Sequence, residues 1–554
     1  MKASTSHGHT LETIFLLAAS LVVFLLYSVS LEGGFVLDDK NNIEKNPSIR
    51  ITHLSAAGLH DAARQSVLPT RPVANISFAL NHLLHGYDVR GFRLVNVLLH
   101  IVTGIILYRF LAALLAIPAV RKRYGPPGLV PLLAAVFWLV HPAQTQAVNY
   151  IVQRMAILAA LFYLLALYFY LKGRAAAAPR QRVLYFGGTL LAAIFGLGSK
   201  ETVAMLPLFF LLLEWYFLRD PEKPFSGKMV AAAVVFCVAA CFFVFLYLGK
   251  NPFAAIAASY SGRDFSLGER LLTQSRVVLF YLGLLFFPLP ARLNLEHDFL
   301  LSTSLLAPPA TLPAMALILF LLVLALIRAK KDPLLSFVIL WYFGNLLIES
   351  SVIGLELIFE HRVYLPAMLV VLPIFLRART ILPAALPRAL LLVGLFSCLL
   401  LWTYQRNTVW ADTVSLLSDS VNKAPASYRA HLNLGIALKN RGRLDAAIDS
   451  YYKALSVKGD YVEGYYNLGN ALMLKNDFRG AAANYFKALA LTPADVDTHY
   501  NLGYTLAKLR RFDEAVYHYS EAIRLQPDFM EARRELAELR RSMQKLYRKQ
   551  KPAE

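Results

Sequence analysis

The sequence predicts an all-α chain in two parts: a polytopic membrane domain of about eleven helices, then an α-solenoid of helical hairpins. Three observations predict it. Residues 11–405 carry one apolar stretch after another, each near the ~20 residues that a helix needs to cross a bilayer. The chain of 554 residues is 57% hydrophobic and only 17% charged, outside the range of soluble domains. Beyond residue 405 a constant 34-residue spacing takes over.

The apolar stretches, in order, are 11–30, 92–117, 129–141 (short), 150–171, 183–198, 203–218, 229–249, 306–327, 334–352, 363–376 and 386–404. Another run, 272–290, contains Arg276 and ends in Pro288 and Pro290, which suits an interfacial or re-entrant segment better than a span. Charge supports the same choice. Arg121-Lys122-Arg123, then Lys172, Arg174, Arg180 and Arg182, then Arg219, Lys223 and Lys228 fall in alternate loops, which the bias of Lys and Arg makes cytoplasmic. If 272–290 does not cross, Arg328–Lys331 and Arg377, Arg379 and Arg388 stay inside too. The N-terminus with Lys2 is then inside, and the loop after the first span and everything past 405 are exported. The net charge of +20 follows these loops and does not indicate nucleic acid. Ser28-Val29-Ser30 weakly resembles a signal cleavage site, but the apolar core before it is long for a signal peptide, and either reading exports the next loop. Cys237 and Cys241 lie one turn apart in one span and Cys398 in another, so the exported parts have no disulfide framework.

In the second part, Asn433-Leu434-Gly435 recurs as Asn467-Leu468-Gly469 and Asn501-Leu502-Gly503. Ala447, Ala481 and Ala515 keep step, as do Tyr451, Tyr485 and Tyr519, and Ala454, Ala488 and Ala522; Pro493 and Pro527 close two units, with Gly459 in the place of the first. This is the tetratricopeptide pattern, in which small residues let two antiparallel helices approach and an aromatic fills the gap. The membrane domain is expected at 1–405 and the repeat domain at 406–554, with a half-repeat at 408–425 around Trp410, full repeats at about 428–461, 462–495 and 496–529, and a charged capping helix at 529–549. Asn433, Asn467 and Asn501 line the concave face and could hydrogen-bond an extended polypeptide; alternatively, Asn is simply common before Leu-Gly in such repeats.

Candidate chemistry gathers at the exported face. Asp38 and Asp39 stand a few residues past the first span, where one could act as a general base while the other orients substrate or helps a cation. On the same side are His141, Arg154, Lys200-Glu201, Arg276, His297, Asp298 and Glu360-His361-Arg362. Individually, each reads as an interfacial anchor or a satisfied pair; together they suit transfer of a group from a lipid phosphate, cations holding the departing phosphate while a carboxylate activates the acceptor. Arg276 and Arg362 are the first candidates for the phosphate, then Lys200 and Arg154, with His297, Asp298, Glu360 and His361 in support. No metal motif of diagnostic spacing, Walker loop, nucleotide fingerprint or Gly-x-Ser-x-Gly elbow occurs, although a divalent metal remains compatible with the acidic pair.

Phe35-Val36-Leu37-Asp38-Asp39, Arg71-Pro72, His141-Pro142, Arg154, Ser199-Lys200-Glu201, Leu293-Asn294-Leu295 through His297-Asp298-Phe299, and Phe359-Glu360-His361-Arg362-Val363-Tyr364-Leu365-Pro366, with the terminal repeats, resemble the transmembrane-and-tetratricopeptide O-mannosyltransferase family of C-type glycosyltransferases. The resemblance implies inverting transfer of a sugar, mannose in the best-known members, from a polyprenyl phosphate to a protein hydroxyl, with Asp38 as base and Asp39 its neighbour. The implied partners are a polyprenyl-phosphate sugar, membrane lipid and an exported polypeptide held by the repeats. The expected location is a bacterial inner membrane, or an endoplasmic-reticulum membrane in a eukaryote, with the repeats periplasmic or lumenal. A non-catalytic repeat scaffold, a polymer ligase and a lipid-linked sugar transporter are the alternatives. A transporter would carry ionisable residues at the midplane of several spans.

Overall fold

The computed structural model describes residues 2–219, 227, 249 and 251–550, and among these there is no β-strand. All but the last residue of the expected span at 229–249, with Cys237, Cys241, Lys223 and Lys228, lie outside the described residues. Two compact units are present: Met1–Leu295 with Phe299–Thr413, and Glu296–Asp298 with Val414–Glu554.

In the first unit, five helices are long and apolar enough to cross a membrane: Val89–Ala116, Ile151–Ala175, Glu201–Leu218, Thr311–Arg328 and Ala385–Trp410. Four shorter apolar helices, Glu12–Ser28, Val130–Leu139, Pro333–Leu346 and Pro366–Ala378, accompany them. The all-helical class and the apolar character hold, but eleven spans are not established by these helices. Proline and short turns account for part of the difference. Pro142 opens a 3-10 turn after Val130–Leu139, and two further short pieces, Thr145–Asn149 and Ile151–Gln153, intervene before the helix at Arg154–Ala175. The run at 272–290 forms the helix Leu267–Phe286, opened by a capping box in which Ser266 and Glu269 satisfy each other's backbone N–H groups.

Helices of similar hydropathy fill different places. The most apolar window of Ile151–Ala175 is 67% buried within the protein, whereas that of Ala385–Trp410 is 6% buried. Exposed Leu386, Leu390, Leu391 and Val393 on the latter form a face that water would penalise and hydrocarbon would not. Polar groups inside the unit are paired across helices. Ser30 donates to Asn149 Oδ1 at 2.7 Å and Asn149 Nδ2 to Asn407 Oδ1 at 2.7 Å, while His100 Nδ1 lies 2.8 Å from the Tyr364 hydroxyl. Such bonds fix helix register where apolar contact alone is indifferent to sliding.

In the second unit the repeats are paired helices: Tyr428–Asn440 with Leu444–Val457, Val462–Leu474 with Phe478–Leu491, and Val496–Lys508 with Phe512–Leu525. The repeated Gly faces the repeated Tyr. A Cβ on Gly469 would lie 2.6 Å from the Tyr485 ring, closer than packing allows, and one on Gly503 would crowd the Tyr519 ring at 3.0 Å. Gly442, Asn476 and Arg510, again 34 residues apart, end the first helix of each pair with φ of 74°, 63° and 59°. The following N–H donates back to Leu438, Leu472 and Leu506 respectively, closing each helix end. Thr413–Lys423 precedes the repeats and Met530–Gln550 follows them. Trp410 is the last residue of Ala385–Trp410 and is buried in the first unit.

Candidate active site

The acidic pair sits on a tight turn. Asp39 N–H donates to Val36 O at 2.9 Å, and Val36 N–H donates to Asp39 Oδ2 at 3.1 Å, so the turn is closed from both ends. Leu37, inside it, has φ of 43°, a left-handed conformation costing an L-residue about 1–2 kcal/mol that surrounding bonds must offset. One such bond comes from Val152, whose N–H donates to Asp39 Oδ1 at 2.7 Å. Another runs from Asp38 N–H to the Tyr150 hydroxyl oxygen at 2.9 Å. The two aspartates are therefore unlike. Asp39 is fully buried with each carboxylate oxygen accepting a backbone N–H, while Asp38 is exposed. Burial pushes the Asp39 carboxyl up to about 7, against the opposing pull of those two N–H groups and of Arg93.

Two of the expected phosphate ligands and one expected supporting residue come together at a small cleft. Lys200, His361 and Arg362 line it with Glu349, Asn345 and Tyr364, around a space of about 20 Å³. Lys200 Nζ is 2.6 Å from Glu349 Oε1, both side chains being buried. The pair offsets its own charge, so Arg362 contributes the net positive charge of this lining. Its guanidinium donates to Leu357 O at 3.1 Å and lies 5.6 Å from the Phe359 ring centre, with no carboxylate partner among the described residues. Backbone N–H and Nδ1 of His361 both reach Gln146 Oε1, at 2.8 and 3.1 Å, which fits the Nδ1–H tautomer. Burial, with Lys200, Arg362 and Arg71 nearby, holds that imidazole well below its ordinary range and hence neutral. Glu360, also buried, accepts the Asn294 N–H at 2.5 Å and braces the adjoining loop.

The other expected cations lie apart from this cleft. Arg154 is fully buried and donates to Asn96 Oδ1, Asn81 Oδ1, Ser77 O and Phe92 O at 2.6–3.1 Å, over the Phe78 ring. Its donors bind helices to one another. Arg276 donates to Leu300 O at 2.7 Å and to Ser302 Oγ at 3.2 Å, over the Phe299 ring. His297 and Asp298 belong to the second unit. The three repeat asparagines differ from one another: Asn433 donates to Glu296 Oε1 at 2.6 Å, Asn467 to Glu463 O at 2.9 Å, and Asn501 to the Tyr466 hydroxyl at 3.1 Å. Among the described residues, no group of three or more His, Cys, Asp or Glu side chains is arranged to hold a metal.

Tyr150, Gln146 and Glu349 escaped the reading of the sequence. For Glu349 a signal existed, since a carboxylate at the end of an apolar run needs a partner, and Lys200 is one. Tyr150 gave none, because a tyrosine at the edge of an apolar stretch reads as an interfacial anchor.

Known proteins resemble the chain along both parts. Tetratricopeptide repeat models match residues 435–476, 469–509 and 496–529. The curated relatives include the protein O-mannosyl-transferase Tmtc2 of Drosophila melanogaster, 30% identical over 51% of this chain and 30% of that protein. The protein O-mannosyl-transferase F38B6.6 of Caenorhabditis elegans is 23% identical over 81% of this chain and 63% of that protein. The protein O-mannosyl-transferase TMTC2 of Mus musculus is 31% identical over 33% of this chain and 22% of that protein. The chain thus spans less than two thirds of the length of these relatives. The resemblance read from the residues agrees with their names: the homologues are protein O-mannosyl-transferases of this family, and the terminal repeats are tetratricopeptide repeats.

Proposed function

We propose that the chain is a multi-pass membrane glycosyltransferase that moves a sugar, mannose or another hexose, from a polyprenyl-phosphate donor to Ser or Thr hydroxyls of exported proteins. The observation that carries this reading is the division of labour in the acidic pair: Asp38 exposed at a turn whose neighbouring Asp39 is buried and bonded. A hydroxyl is too weak an acid to attack unaided at neutral pH. Asp38 removes the hydroxyl proton as the oxygen bonds to the anomeric carbon, a contribution of roughly 10²–10⁴-fold in typical cases. The bond from that carbon to the phosphate oxygen breaks on the opposite side, polyprenyl phosphate departs with the electron pair, and the configuration inverts.

The cleft of Arg362, Lys200 and Glu349 has the charge for the phosphate end, and its space of about 20 Å³, room for one water, must widen to take it. A phosphodiester carries one negative charge, and the lining has one cation in excess, presented as a planar fork. Arg362→Lys keeps the charge and loses the fork; it is expected to weaken donor binding and turnover in a folded protein. Asp39 serves by fixing the turn. The repeats hold the acceptor polypeptide, and their asparagines contribute polar contacts to its backbone.

The test is Asp38→Asn, which keeps size and polarity but cannot accept the proton. Transfer of hexose from a polyprenyl-phosphate hexose to a threonine peptide should be abolished, with membrane insertion, melting temperature and donor binding preserved. Transfer at the wild-type rate would return the chain to the scaffold reading, in which only the repeats act. Mass spectrometry of exported proteins, with and without the gene, should show a lost hexose on Ser or Thr.

A further inference from the structure

Residues 150 and 152 grip residues 38 and 39. Val152 N–H holds Asp39, and the Tyr150 hydroxyl accepts the Asp38 N–H at 2.9 Å. A phenol that accepts one hydrogen bond still has its own proton to give, and the adjacent acceptor is the Asp38 carboxylate, with which the Tyr150 side chain also interacts. Tyr150 is itself fixed. It is buried, its N–H donates to Gln146 O at 3.1 Å, and its ring meets His361 edge-on, centroids 6.5 Å apart.

We propose that Tyr150 is a positioning residue that holds the Asp38 carboxylate in the orientation needed to take the acceptor proton. The proposal rests on the reading of Asp38 as base. An exposed carboxylate on a turn otherwise turns freely about two side-chain torsions, and most of its orientations do not face an incoming hydroxyl. A hydroxyl fixed on the Asp38 amide, with its own proton left for the neighbouring carboxylate, would restrict both torsions from one point. No carbon of the ring is needed for this, so the oxygen can be tested alone.

Tyr150→Phe keeps the packing and the edge-on contact with His361 and removes only that oxygen. In the full-length protein, with a polyprenyl-phosphate hexose and a threonine peptide as probes, kcat should fall about tenfold, the scale of a lost orientation rather than a lost base. KM for the donor should stay within about twofold, since the hydroxyl acts in the reacting geometry and not in ground-state binding. Melting temperature should fall by only about one hydrogen bond's worth, a few degrees, since the Asp38 N–H loses its acceptor, while Tyr150→Ala, which also loses the ring, should melt lower still. A Phe variant with wild-type kcat overturns the proposal. So does one that fails to assemble, or one that melts as low as Tyr150→Ala, because the hydroxyl would then serve folding. Asp38→Asn separates this failure from that of the parent reading. If it remains active, or if the wild-type chain transfers no hexose, the base assignment falls; if it is dead while Tyr150→Phe is unimpaired, only the positioning role falls.

Discussion

Two effects compete at Asp39. Burial disfavours its charge, and two backbone N–H groups favour it; burial dominates, so the carboxyl is pushed up to about 7 from an ordinary value near 3.8. A raised folded value means that the native state binds the extra proton between those limits. The resulting stability is fully present below about 4 and is lost as pH rises through about 7. Melting temperature should therefore decline from pH 5 to pH 7, and Asp39→Asn should remove that part of the slope. The variant should also be less stable at pH 5 by about 1–3 kcal/mol, because its Nδ2 faces a backbone N–H where an oxygen accepted before. A melting curve with the same pH slope in both proteins would assign the titration elsewhere. The difference between Asp38 and Asp39 was not legible in the sequence. Adjacent aspartates look alike, and what separates them is Tyr150 and Val152, more than a hundred positions away along the chain. Leu37 gave the opposite hint, since a leucine does not signal a left-handed turn.

At the scale of elements, the repeats were readable because each unit's requirements are local and recur. Glycine before tyrosine, alanine at the helix crossing and a left-handed helix end are each set within one 34-residue unit. The last requirement is met unevenly, by Gly442, Asn476 and Arg510. Arginine bears the Cβ cost that glycine avoids, so Arg510→Gly should stabilise the repeat unit by about 1 kcal/mol, read as a higher melting temperature. A lower one would show that the Arg510 side chain contributes more than its backbone costs. The membrane segments were less legible. Hydropathy located Ile151–Ala175 and Ala385–Trp410 alike, but it did not say that one is an inner helix and the other faces outward. It also cast Arg154 as a phosphate ligand, whereas its four hydrogen bonds join Asn81, Asn96, Ser77 and Phe92. Arg154→Lys cannot span these acceptors. It should cost several kcal/mol and reduce assembly, in contrast to a folded Arg362→Lys.

For the whole molecule, the side of the membrane on which the repeats lie turns on the helix Leu267–Phe286. Its 20 residues would extend about 30 Å, enough to cross. Its composition argues against crossing: Glu269, Arg270 and Arg276 share it, and Arg270, Thr273 and Gln274 turn buried polar groups toward the protein. If it does not cross, the basic loops at 328–331 and 377–388 remain cytoplasmic and the repeats are exported. If it does cross, every later loop changes side. Single cysteines near Lys439 and Lys475 distinguish the two, because an impermeant thiol reagent should label them in intact cells while a cysteine near Arg328–Lys331 stays protected. The three native cysteines, Cys237, Cys241 and Cys398, the last exposed on Ala385–Trp410, should first be replaced by Ser so that they contribute no signal. Labelling of the repeat positions only after permeabilisation, with the Arg328 position labelled before it, would mean that Leu267–Phe286 spans the bilayer. Repeats on the cytoplasmic side could not present polypeptide to an exported Asp38, and their part in acceptor binding would then be withdrawn.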